Sequence, residues 1–341
     1  MNAAAGTLPD GLRAALEEVT VSPDLTSATV GARQLTADTP HALRHRLSAA
    51  LYEAWHTGRE TPRSRPRTLR DPAFEQRLAA AMPHRSTTVV ARVLHRAADG
   101  TLTVQHAGLR IDVPAAHVEP MPPSHPHQQV DIRVDAARPA LSPGFFLADG
   151  TRPLTGTDAV LRVYLHPHSA ESAVEVWRTV LEDLEHDRTP YRAKVCSSPW
   201  LHPRRDALVV YLLADAWTRA QALARAAAGT GCLADDVSVF ARRLAPGAAA
   251  AWEPSDGRPF MRGMSFGQHR AAAVTDGLLA HAAGHGSSDR HEAVATALVA
   301  AGVDPGCPAH NLTADPYPLT PHASLPEPHR GVRHSPSHHD E

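Results

Sequence analysis

Four cations crowd one short stretch, YRAKVCSSPWLHPRRDALVVYLL over 191–213: Arg192, Lys194, Arg204 and Arg205. The surrounding residues pattern as two strands built for burial, and a buried cation is costly unless an anion sits against it. The stretch itself offers only Asp206. Cations short of a counter-charge suit an anionic ligand, above all a phosphate dianion, which arginine forks and helix N-termini both hold well.

Three further segments extend the pattern. In VLRVYLHPH, strand alternation puts Arg162, Tyr164 and His166 on one face and Val163 and Leu165 on the other. In PYRAKVC the same rule groups Arg192, Lys194 and Cys196, and Tyr211 shares a face with Arg205 if its strand reaches back that far. GMSFGQHR carries Ser265, Gly267 and Arg270 where a loop enters a helix. Taken singly, each reads as a solvated strand end or loop. Taken together in a chain of formal net charge −2, they point to convergence on one anion site.

Other motifs lack their context. GTGCLA (229–234) matches a dinucleotide pattern but follows a helix where a strand is needed. HAAGH places His281 and His285 at zinc-ligand spacing, yet Ala282 stands where a catalytic glutamate belongs. With 23 histidines in the chain, such pairs arise by chance. His166 and His168 could hold a metal, but no carboxylate or cysteine cluster accompanies them. No metal or cofactor is expected.

The elements that position these residues follow from period and punctuation. A chain of 341 residues with 43% hydrophobic and 21% charged residues has the composition of a globular protein with one large or two ordinary cores. Three scattered cysteines make no disulfide framework, which fits a reducing cytoplasm. No basic segment leads into an apolar one at the N-terminus, and no apolar run is long enough to span a bilayer. Cytoplasmic location is expected, without membrane or nucleic-acid partners. Residues 8–58 read as helical, with Thr39-Pro40 starting and Gly58 stopping one helix, and RPRTLRDPAFEQRLAAAMP adds another. TTVVARVLH, GTLTVQHAG and LRIDVPA read as a small antiparallel meander, and the proline-rich 119–129 as a linker. Beyond it, VDIRVDA is a strand, SPGFFLADG a loop, and SAESAVEVWRTVLEDLEHDR an amphipathic helix capped by Ser169. Helices and strands mix without a βαβ repeat, so the fold class is α+β. The expected parts are 1–129 (helices plus meander, for peptide or partner recognition or as a structural prop), 130–303 (the α+β domain) and 304–341 (a Pro/His-rich tail).

The run RVYLHP, a helix, TPYRAKVCSSP, PRRDALVVYL, LAPGAAAAWEP and SFGQHR together resemble the HopA-type effector family. Upstream, LSAALYEAWHTG and DPAFEQRLAAAMPHR are similar to members encoded in thioamitide and class V lanthipeptide clusters. The resemblance implies a fold related to the OspF and SpvC phosphothreonine lyases. It also implies β-elimination of phosphate from phosphoserine or phosphothreonine of a precursor peptide, giving dehydroalanine or dehydrobutyrine. A separate kinase must supply the phosphate, since no kinase motif is present.

Such an elimination needs a base for the Cα proton, a hold on the phosphate and an acid for the bridging oxygen. Lys194 is the expected base, its proton made easier to shed by partial burial and by Arg192 and Arg204 or Arg205. Arg162, Arg205 and Arg270 are the expected phosphate ligands, with Arg204 an alternative to Arg205 and with Arg192 and Tyr211 beside them. The effector lyases carry Lys-x-His where this chain has Arg162-Val163-Tyr164, so Tyr164 takes the acid's place by motif, with His166 its competitor. A phosphopeptide- or partner-binding module without turnover is the alternative, and a metal hydrolase using His166 and His168 a third reading.

Overall fold

The computed structural model describes residues 7–59, 67–119, 127–155, 159–285, 287 and 289–312. The chain opens with α1 (Asp10–Glu17) and a three-stranded antiparallel sheet, β1 (Val19–Val21), β2 (Ser27–Val30) and β3 (Arg33–Thr36), inside the segment read as helical. These strands are only three or four residues long, too short for alternation to register. Helix α2 (Pro40–Leu51) starts as expected, with the Thr39 side chain accepting from the Ala42 N–H. It passes into a π-helical turn, Tyr52–Thr57, before Gly58 ends it. Then come α3 (Pro72–Ala80), β4 (Ser86–Arg96), β5 (Leu102–His106), β6 (Leu109–Val113), β7 (Val118–Glu119) and β8 (Gln129–Asp135).

These last five strands form their own sheet in the order β6-β5-β4-β8-β7, over a small core of Val89, Val93, Val104 and Ile132 among others. The expected boundary at 129 therefore falls at the start of a strand, and VDIRVDA belongs to the small sheet because β8 pairs along its own length with Ser86–Arg92 of β4. Residues 120–126 of the expected linker lie outside the described residues.

The second sheet is built from β9 (Ala137–Ser142), β10 (Phe145–Asp149), β11 (Val160–Leu165), β12 (Tyr191–Cys196), β13 (Leu208–Leu213), β14 (Arg242–Ala245) and β15 (Ala248–Trp252). Its order is β14-β15-β11-β13-β12-β10-β9, every pair antiparallel. SPGFFLADG is thus a hairpin rather than a loop. Gly144, at φ +78°, turns it, and Phe146–Asp149 is buried on both faces, which erases the alternation that marks a half-exposed strand.

Helices α4 (Ala170–His186) and α5 (Arg219–Gly229) pack on one face of this sheet. Trp177, fully buried on α4, is among the residues fixing that layer, worth roughly 2–3 kcal/mol from burial alone. The other face is covered by the π-helical turn and by α6 (Phe266–Ala282), which packs against α2 and α7 (Arg290–Ala300). The chain is α+β. One hydrophobic core runs through both layers and includes Leu12, Leu47, Trp55 and Leu78, so α1, α2, the π-helical turn and α3 are part of the main body. The start of the expected tail also packs there. Ala309 is buried and Val303 bridges to Asn311, while 313–341 lies outside the described residues. Among the described residues, no helix is long and apolar enough to cross a membrane.

Candidate functional site

Register across three central strands sets the site. Arg162 on β11 faces Tyr211 on β13, which faces Arg192 on β12. One step along, Tyr164, Val209 and Lys194 form the next row on the same face. On β15, Ala251 and Ala249 sit opposite Arg162 and Tyr164, and such small side chains leave depth. The space is a cavity of about 720 Å³ lined by Arg162, Tyr164, Lys194 and Tyr211, with Tyr52, His56, Asp206, Glu253 and the loop Met261–Ser265 closing it.

Each hairpin arginine has its anion, supplied from far along the chain or from the turn. Arg192 Nε is 2.6 Å from Asp149 Oδ1, Arg204 Nε 2.7 Å from Asp206 Oδ1, and Arg205 Nε 2.5 Å from Asp236 Oδ2. Arg162 is paired with Glu253. Lys194 differs. Its Nζ lies 4.3 Å from the centroid of the Phe145 ring and 5.7 Å from that of Tyr211, and no carboxylate among the described residues reaches ion-pair distance. The Arg162 guanidinium lies 5.2 Å from the centroid of the same Tyr211 ring.

Burial pushes the Tyr164 phenol above its ordinary range, against the pull of Arg162, so the hydroxyl keeps its proton. That hydroxyl is buried and has no well-aligned hydrogen-bond partner, although phenols in cores nearly always find one. Burial would also raise the Asp206 carboxyl, but the Arg204 guanidinium outweighs it and holds the group well below the usual carboxylate range.

Residues 136–310, more than half of the chain, match the HopA1 effector protein family. The chain belongs to this family. Two solved effector structures from Pseudomonas syringae are similar to it. The protein of pathovar tomato strain DC3000 is 14% identical, with a TM-score of 0.43, covering 79% of this chain and 95% of that one. The protein of pathovar syringae strain 61 is 15% identical, with a TM-score of 0.43, covering 80% and 92%. No curated protein matches the chain.

Within this HopA1-family chain, several expected ligands stand away from the cavity. Arg205 precedes β13, so it does not share that strand's face with Tyr211. It also donates to the carbonyls of Ala54 and Trp55, tying the π-helical turn to the sheet. Arg270 is fully buried on α6, donating to Pro308 O at 2.7 Å and Asn311 Oδ1 at 3.0 Å, which anchors the C-terminal segment. His166 lies beyond the cavity, its Nδ1 3.0 Å from Asp236 Oδ1, whereas His168 Nδ1 is 3.0 Å from Ser172 Oγ. The two histidines face different partners. Arg192 and Arg204 are not among the residues lining the cavity, although Arg204 reaches Tyr52 and Asp206, which do line it.

Sequence reasoning missed Tyr52, His56, Glu253 and the start of the 261–265 loop, although it reached that loop's end at Ser265. For His56 a signal existed: in LSAALYEAWHTG it falls one turn after Tyr52, beside the apolar positions Leu47, Leu51 and Trp55.

Proposed function

We propose that the chain is a lyase that β-eliminates phosphate from phosphoserine or phosphothreonine in a ribosomally made precursor peptide. The product carries dehydroalanine or dehydrobutyrine, as in lanthipeptide-type biosynthesis, and a separate kinase supplies the phosphate. What supports this reading above all is Lys194, an amine without a carboxylate partner among the described residues, lining one cavity with Arg162, Tyr164 and Tyr211. The volume is that of an ordinary small-ligand site, enough for a phosphorylated side chain.

The roles follow from the chemistry. Lys194, in its uncharged form, takes the Cα proton. Arg162 holds the phosphate, and the dianion displaces Glu253, whose side chain is 38% exposed and able to swing away. The Tyr164 hydroxyl, buried and unpartnered, donates a hydrogen bond to a phosphate oxygen. Positive charge already fixed where the leaving group gathers negative charge lowers the barrier most.

Incubating the protein with a phosphothreonine peptide tests this. Loss of phosphoric acid from the peptide, with free phosphate released and Lys194→Ala inactive, is the expected result. One feature favours a binding module without turnover: Tyr164, a phenol that burial keeps protonated, stands where the effector-lyase motif has a histidine acid. That reading predicts tight phosphopeptide binding with no change of peptide mass.

A further inference from the structure

One wall of the cavity comes from a part of the chain outside the family match. Residues 52–57 leave the α-helical ladder for a π-helical turn, a device that re-aims side chains and recurs at functional sites. From it His56, 3% exposed, reaches the cavity. Its Nδ1 is 2.8 Å from Ser238 Oγ, and its Nε2 is 3.8 Å from Asp206 Oδ2, too far for a direct hydrogen bond. The ring stands edge-on to Tyr164 at 5.2 Å between centroids and contacts Phe266 and Tyr52. A Cβ at position 267 would overlap it, so α6 approaches this imidazole only with glycine there. The imidazole is held from several sides, with one nitrogen satisfied and the other facing a carboxylate.

We propose that His56 is the proton donor of the cavity: Nε2 takes up a proton as the phosphate enters and delivers it to the oxygen bridging phosphorus and Cβ. This assignment rests on the lyase reading. Burial holds the imidazole down at about 4, with Arg204, Arg162 and Lys194 adding to that and Asp206 opposing it. The facing groups are thus Arg162 and Tyr164 on β11, Lys194 on β12, Arg204 and Asp206 before β13, and Tyr52 on the same turn. Helix α6 presents Phe266 and Gly267 to the ring. A dianion against Arg162 offsets the guanidinium charge that repels a proton and adds negative charge of its own, which draws the proton on. Asp206, kept ionised by Arg204, is then the counter-ion.

The step balances. Lys194 takes the Cα proton, the C–H electron pair becomes the Cα=Cβ bond, and the Cβ–O pair leaves with oxygen. That oxygen takes the His56 proton, giving hydrogen phosphate and neutral imidazole. Lys194 returns its proton to water.

The test compares wild type with His56→Gln and His56→Asn on a phosphothreonine peptide. It also follows the His56 ring by NMR across pH, with and without inorganic phosphate. The expected result is a kcat about 10²-fold lower or more with KM little changed, and an imidazole titration moved to higher pH by phosphate. The ring titration uses the unsubstituted protein, so it decides even if a variant fails to fold. A wild type that binds the peptide and never eliminates phosphate sinks the lyase reading. Elimination untouched by the substitutions, or a titration that phosphate leaves in place, overturns the His56 assignment alone.

Discussion

The Lys194 Nζ rests 4.3 Å from the centre of the Phe145 ring, on the neighbouring strand, with no carboxylate at ion-pair distance among the described residues. Its three companions in the same stretch, Arg192, Arg204 and Arg205, are each closed off by an aspartate. An amine held against aromatic faces has no salt bridge to break before it reacts.

That difference makes Lys194→Ala a clean substitution. Elimination from a phosphothreonine peptide falls by about 10²-fold or more, as for loss of a general base. Stability changes by only about 0.5–2 kcal/mol, the range of a cation–π contact. Mass spectrometry of the peptide and a thermal melt of the protein check the two halves.

Glu253 and the incoming phosphate compete for Arg162. Glu253→Gln removes the competing charge, so inorganic phosphate binds more tightly, by roughly fivefold, the equivalent of about 1 kcal/mol for a half-exposed pair. Arg162→Gln weakens phosphate binding instead. Calorimetric titration separates the signs.

Arg270 gives the opposite pattern. Arg270→Ala strips the carbonyls of Pro308 and His310 and the Asn311 side chain of a donor. The expected loss is about 2–4 kcal/mol of stability, read as an earlier urea midpoint. The KM for phosphopeptide stays near the wild-type value in the fraction that folds, because Arg270 is outside the cavity lining.

Acid sensitivity follows from three buried imidazoles. His56, His202 and His269 are each held at about 4, chiefly by burial, against an ordinary value of 6.5. The unfolded chain therefore binds protons below about 6.5 that the folded chain refuses. Their contribution, up to ~3 kcal/mol each, is complete above 6.5 and is lost as pH falls toward 4. Urea midpoints measured from pH 7.5 down to 4 should fall through that window and level off below it for these groups.

Period-two alternation in VLRVYL and PYRAKVC was enough to put Arg162, Tyr164 and Lys194 on one side of the sheet, because those strands are regular and their neighbours follow in register. It could not say which cations would stay unpaired. Arg162 finds its carboxylate 91 residues away, Arg192 43 and Arg205 31, distances over which a linear pattern carries no pairing information. The β9–β10 hairpin escaped for a related reason, since a strand buried on both faces does not alternate. His56 escaped because helical spacing identifies a face and not what packs on it.

The small sheet of β4–β8 enters and leaves the body at neighbouring points, where Ser86 pairs with Asp135, and it encloses its own valine-rich interior. Topologically it is a cassette. A tight turn joining those two positions would spare the cavity walls, none of which it supplies. Exchanging such a module leaves the described residues that line the cavity where they are.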